Sequence, residues 1–259
     1  MIPRRTFVVT AVAAALAVLA VGGALAAREL YVAGKLADAA APEAPVQRTF
    51  GAAWPDRPGP RVLLIGDSRV ADWRHHLPAD LAVAERGLPG ETARQLTGRF
   101  EAALREARPA VVVVQAGIND LVAASLGDAD HQRSAAADLR SAFALMADAA
   151  AETGTCLVLT TIVPPAEPSL LRRAVWNPAV TDHVAAANDA LRRLADPPGV
   201  AVLDLAERLA PAGDLPDAFR RDTLHLTPAA YARMNDALRG HLADHPTHSC
   251  GDRDASAAL

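Results

Sequence analysis

The sequence predicts an α/β fold: a five-stranded parallel sheet with helices packed on both faces. Three observations predict it. Short apolar runs recur along the chain, each too short for a helix and each stopped by Gly, Pro or a turn. Between them lie stretches of 15 to 20 residues with apolar side chains at helical spacing. The strongest runs are apolar throughout rather than alternating, as in strands buried on both faces. Strands alternating with helices of this length fold as a parallel sheet between two helical layers.

Taken in order, residues 61–66 form the first strand, Val62-Leu63-Leu64-Ile65 closed by Gly66. Residues 81–86 are a weaker second strand. Residues 91–107 have helical spacing, with Leu96, Phe100 and Leu104 on one face. Residues 110–116, with four consecutive valines, are the strongest strand in the chain. A helix over 134–152 leads to a strand over 155–163, stopped by Pro164-Pro165. A helix over 179–194, a short strand over 200–203 and a closing helix over 227–242 complete the pattern. Thr227-Pro228 supplies that last helix with an N-cap and a proline at its first position.

The appendages read differently. Arg4 and Arg5 precede an uncharged, mostly apolar run over 7–27, and the next charge is Arg28. That length suits a bilayer crossing of about 20 residues, and the leading arginines hold the N-terminus in the cytoplasm. Two readings stay open for residues 1–28. Ala24-Leu25-Ala26 is a small-x-small cleavage pattern, as in a signal peptide; the run is nevertheless longer than the usual apolar region, as in an uncleaved anchor. Arg4-Arg5 also resembles a twin-arginine signal. Either way the expectation is export, to a periplasm or cell surface. Residues 29–60, rich in Ala and Pro from Ala39 onward, are expected to be a linker. Residues 61–245 then form the main α/β domain, and 246–259 are expected to be an unordered tail.

Composition excludes some functions. Of 259 residues 51% are hydrophobic, enough for one sizeable core, and the net charge of −4 with no basic block argues against nucleic acid as a partner. No Walker loop or Gly-x-Gly-x-x-Gly is present, so no nucleotide cofactor is expected. His241, His245, His248 and Cys250 invite a zinc reading, but Pro246 breaks the helix among them and no metal is expected. Cys156 and Cys250 either pair in an oxidising compartment or stay apart, Cys156 packing as a small hydrophobe.

Ligands of such folds bind beyond the carboxyl ends of the strands, and four segments with chemical potential fall there. Gly66-Asp67-Ser68-Arg69 places a serine hydroxyl at the mouth of a helix. Arg86-Gly87-Leu88-Pro89-Gly90-Glu91-Thr92 offers backbone N–H groups to an anion. Gly117-Ile118-Asn119-Asp120 aims an amide donor at the same crevice. Asp222-Thr223-Leu224-His225 sets an acid three residues ahead of a histidine, close enough to fix its tautomer. Each segment alone is ordinary turn or cap chemistry.

In this order they resemble the SGNH (GDSL) hydrolase family, the terminal Asp-x-x-His block most specifically, since His225-Leu226-Thr227-Pro228 runs on to Tyr231. The likeness spans most of residues 61–243. The resemblance implies a flavodoxin-like three-layer fold, a metal- and cofactor-independent serine esterase, and specific roles. Ser68 is the nucleophile, His225 the general base, and Asp222 orients His225. The oxyanion is held by the Ser68 and Gly90 N–H groups and the Asn119 side chain. Glu91 departs from the family's usual Asp, and Arg69 stands where relatives vary. The α/β-hydrolase elbow is absent, because Val70 replaces its second glycine.

The expected partner is an ester of a carbohydrate, a lipid or a small alcohol, with membrane contact through residues 7–27 if the N-terminus is retained. Transfer to a glycan hydroxyl and non-catalytic binding are the alternatives. His75, His76 and His183 are expected on helix surfaces, and Trp73 and Trp176 in the core or at a rim. The loop over 164–178, carrying Arg172, Arg173 and Trp176, is expected to form one wall of the cleft.

Overall fold

The computed structural model describes residues 4–44, 48, 50, 54–194 and 199–245. Five parallel strands, β1 (Val62–Gly66), β2 (Val83–Gly87), β3 (Val111–Gln115), β4 (Cys156–Thr160) and β5 (Val200–Leu203), lie in the order β2-β1-β3-β4-β5. This is the flavodoxin-like order, and it reverses between β1 and β3. The five-stranded parallel sheet and its two helical layers are as expected.

Alternation along the strands sorts the core into two halves. Leu63, Ile65, Val112 and Val114 face α3 (Ala93–Ala107), α4 (Ile118–Leu126), α5 (Ala129–Thr153) and, past the four-residue α6 (Leu170–Arg173), α7 (Ala179–Arg192). Val62, Leu64, Val111 and Val113 face α2 (Ser68–Trp73), α8 (Leu205–Leu209) and α9 (Pro228–Asp244). Leu96, Phe100 and Leu104 of α3 are buried, as their spacing requires. Thr92 caps α3 in a reciprocal box with Gln95, and Thr227 with Pro228 opens α9. Trp73 is fully buried and donates to Asn235 Oδ1 at 2.8 Å, so it belongs to the core.

Two boundaries differ from the sequence reading. The N-terminal helix α1 (Arg4–Ala40) does not end near residue 28 but runs through 29–40, which composition placed in the linker. Ala-rich sequence propagates a helix until Pro42 stops it, whatever the helix is for. Further on, Arg48 forms a two-point ion pair with Glu85, and Trp54 Nε1 donates to the Ala107 carbonyl at 3.1 Å. That part of the segment is docked on the domain. The second difference is α4, a helix that the sequence reading did not assign: Gly117 is the N-cap, and Asn119 lies in the first helical turn.

Along Val12–Ala40, α1 is long and apolar enough to cross a membrane, and its apolar side chains are exposed as far as Leu30. The expected tail over 246–259 and the Cys156–Cys250 pairing fall wholly or partly outside the described residues, as do His248 and Cys250 of the zinc reading. Among the described residues no cluster of three metal-ligating side chains occurs.

Candidate active site

The site straddles the switch between β1 and β3. Gly66 ends β1 with φ +153°, and a Cβ there would lie 1.9 Å from the Gln115 carbonyl oxygen, so only glycine lets β1 run this close to β3. Asp67 caps α2 by accepting the Arg69 N–H at 2.8 Å, which leaves Ser68 as the first helical residue, half-buried at the strand's carboxyl end. Its N–H, one of the orphan donors of a helix start, makes no backbone hydrogen bond among the described residues, and neither does that of Gly90. Gly90 adopts φ +82°, a conformation that favours glycine.

Asn119 is oriented from the neighbouring loop: its Nδ2 donates to the Glu91 carbonyl at 2.9 Å, leaving a second N–H for another acceptor. Glu91 is itself fixed, because its buried carboxylate takes two hydrogen bonds from Arg99, at 2.6 and 2.5 Å. Burial still pushes that carboxyl upward, against the pull of Arg99. Asp120, next to Asn119, accepts the Ala93 N–H at 2.8 Å, and burial raises its carboxyl to about 6. The Asn119 loop and the start of α3 are thus locked together.

Asp222 and His225 are brought into direct contact, Oδ2 to Nδ1 at 2.8 Å. The other carboxylate oxygen accepts the Leu224 and His225 N–H groups at 2.8 and 3.0 Å. Desolvation raises the Asp222 carboxyl, but those N–H groups and the His225 ring outweigh it and pull it down to about 2. Asp222 is therefore a carboxylate throughout the neutral range, held to fix one imidazole nitrogen as the donor. Ser68 and His225 are not hydrogen-bonded to each other; such contacts commonly tighten only around substrate.

What ties the histidine loop to the serine helix is a residue whose role the sequence left open. Arg69 is buried, and its Nε donates to the Leu224 carbonyl at 2.8 Å and its Nη1 to the Val163 carbonyl at 2.6 Å. Tyr231 Oη donates to the Arg69 carbonyl at 2.9 Å. The neighbour of Ser68 is thereby bonded to the neighbour of His225. Burial pushes Asp67 up to about 7 despite Arg69, and lowers the Arg69 guanidinium despite Asp67. Glu91 and Asp120 were likewise not legible as positioning groups; a buried charge in a strand-to-helix turn was the only available signal.

Other expected residues sort more simply. His76 stacks on Tyr231 with ring centroids 5.0 Å apart, and His75 is exposed. Trp176 is partly buried against the core with the Arg172 guanidinium over its ring at 5.3 Å.

With this arrangement in view, comparison with known proteins is decisive about family. The profile of the GDSL-like lipase/acylhydrolase family matches residues 49–233, most of the chain. The chain belongs to that family. It is a serine ester hydrolase by class, the SGNH/GDSL type that the four motifs resemble. Solved structures agree on the fold. A "putative acylhydrolase" from Bacteroides fragilis is 24% identical over 74% of this chain and 91% of its own, with TM-score 0.59. A GDSL-like lipase from Bacteroides thetaiotaomicron is 22% identical over 71% and 88%, with TM-score 0.57. An acetylxylan esterase from Geobacillus stearothermophilus is 15% identical over 72% and 95%, with TM-score 0.51. No curated protein sequence matches.

Proposed function

We propose that this GDSL-family chain hydrolyses an ester through a Ser68 acyl-enzyme, outside the cytoplasm and beside the membrane that α1 enters. His225 takes the Ser68 proton as the Oγ attacks the ester carbonyl, and Asp222 steadies the imidazolium that forms. The developing oxyanion sits among the Ser68 N–H, the Gly90 N–H and the free N–H of Asn119. One such donor contributes on the order of 3 kcal/mol to the barrier reduction. His225 then returns its proton to the departing alcohol, and a water, activated by the same base, releases the acid.

The observation that carries this reading is the Asp222–His225 hydrogen bond at 2.8 Å, on a loop that Arg69 ties to the serine helix. Two free backbone donors and an oriented Asn119 supply the complement. The substrate class is an acylated carbohydrate, a lipid or a small ester. Arg4 and Arg5 ahead of the apolar run favour a cytoplasmic N-terminus and an extracytoplasmic domain. Residues 7–27 then make the membrane contact wherever the helix is retained. Turnover of 4-nitrophenyl acetate by wild type and Ser68→Ala tests the chemistry. Loss of turnover in a folded variant supports it; retained turnover overturns it.

A further inference from the structure

The N-terminal helix does more than lead away from the domain. Its last carbonyls, which no helix can satisfy internally, are taken by two side chains of α3. Arg94 Nη2 reaches the Ala39, Ala40 and Ala41 oxygens at 2.7 to 3.0 Å, and Gln95 Nε2 reaches those of Asp38, Ala41 and Glu43 at 2.7 to 3.1 Å. A guanidinium at this end also suits the negative pole of the helix. Gln95 meanwhile holds the Thr92 N–H through its oxygen, so α1 is fastened to the turn that carries Gly90.

This docking makes α1 one wall of the cleft beside the oxyanion donors. Tyr31, Lys35 and Asp38 line it together with Gly90, Asn119 and Arg172. Ala39, Thr92 and Ala123 are shared with a larger groove of about 770 Å³ that continues along α1.

The charges on this wall are out of balance. Lys35 is the only lysine in a chain that otherwise uses arginine, and it makes no hydrogen bond or ion pair among the described residues. Arg172 has no carboxylate partner there either; its Nε is buried without a hydrogen-bond partner, and its guanidinium lies over Trp176. Asp38 is the one carboxylate side chain lining this cleft, and it is not within ion-pair distance of Lys35. A compact ammonium and a guanidinium pre-set on an aromatic ring are a pair suited to carboxylate or phosphate oxygens.

We propose that the cleft selects esters carrying an anionic group, a carboxylate or a phosphate, and that Lys35 and Arg172 bind that group. The proposal rests on the serine-hydrolase reading of the site that this cleft borders through Gly90 and Asn119. By helix rise Lys35 stands roughly 10 Å beyond Arg28, where the apolar run ends, so a retained anchor would present this selectivity close to the membrane. A signal cleaved near Ala26 would leave both residues in the mature chain.

The test compares kcat/KM of the full chain in detergent for matched esters. Mono-4-nitrophenyl succinate against 4-nitrophenyl butyrate places a carboxylate on the acyl side. 4-Acetoxyphenyl phosphate against phenyl acetate places a phosphate on the alcohol side. At least one anionic ester should be preferred by about tenfold or more, the size of one charge-assisted hydrogen bond, and added salt should shrink the preference. Lys35→Ala and Arg172→Ala should each lower the anionic-to-neutral ratio about tenfold, chiefly through KM, while Lys35→Arg keeps most of it. Lys35 is exposed, so its replacement does not threaten folding. No preference for either anion, or a preference that survives both alanine substitutions, overturns the proposal. Ser68-dependent hydrolysis of the neutral esters in that event leaves the hydrolase reading standing. Absence of Ser68-dependent turnover on all four esters removes both.

Discussion

Replacing Arg69 by Met tests whether a buried strap positions the proposed catalytic pair, Ser68 and His225. The substitution keeps the aliphatic stem and deletes the hydrogen bonds to Leu224 O at 2.8 Å and Val163 O at 2.6 Å. Two charge-assisted bonds correspond to about 3–6 kcal/mol gross. Against this, the variant no longer desolvates a guanidinium, which costs several kcal/mol in wild type. The Tyr231 Oη bond to the residue 69 carbonyl and the Asp67 cap are made by backbone and persist. The two terms largely offset, so the net expectation is a loss of about 0–3 kcal/mol, read as a lower urea midpoint at unchanged m-value. Kinetics should show more than stability does. With Leu224 O released, the segment bearing Asp222 and His225 loosens, and a displacement near 1 Å costs on the order of 100-fold in kcat. Unfolding free energy within about 0.5 kcal/mol of wild type, together with kcat within about twofold, would refute the strap.

Asn119→Ala removes the proposed side-chain oxyanion donor and should cut kcat by 10²–10³-fold on the order-of-magnitude scale of such donors, with KM little changed in steady-state assays. Asp222→Asn should lower kcat by on the order of 10⁴-fold, because the wrong imidazole tautomer is then favoured. In wild type Asp222 is drawn down to about 2, so its share of stability is present above the ordinary carboxylate range and is lost only as pH falls toward 2. The pH–rate profile should accordingly show no inflection from Asp222 between about pH 3 and 5. His241 is pushed down to about 4, first by burial and then by the stacked His245. A depressed histidine disfavours the folded state as it protonates, so stability should fall from pH 6.5 to pH 4. His241→Leu should flatten that part of a Tm-against-pH curve; an unchanged slope would contradict it.

The sheet was legible because its signals are local. Four consecutive valines in β3 and the Thr227-Pro228 start of α9 need no tertiary context to be read. The candidate site residues could be singled out from local motifs: Ser68, Gly90 and Asn119 follow the ends of β1, β2 and β3, and Asp222 and His225 lie in the turn before α9. What stayed hidden depends on partners far away in sequence. Arg69 acts on Leu224, 155 residues on, and nothing near Arg69 announces that it will be buried. That Asn119 sits in a helical start with its amide bonded to the Glu91 carbonyl was likewise not readable from its neighbours. Lys35 falls in the segment expected to be a linker, and its place on the cleft wall exists only once Arg94 and Gln95 have caught the end of α1.

The most direct measurement is the site of covalent modification by a fluorophosphonate, mapped by peptide mass spectrometry on the full chain. The account predicts one adduct, on Ser68, formed slowly in His225→Ala and absent in Ser68→Ala. An adduct on another residue, or none on Ser68 in a folded protein that still hydrolyses esters, would contradict it.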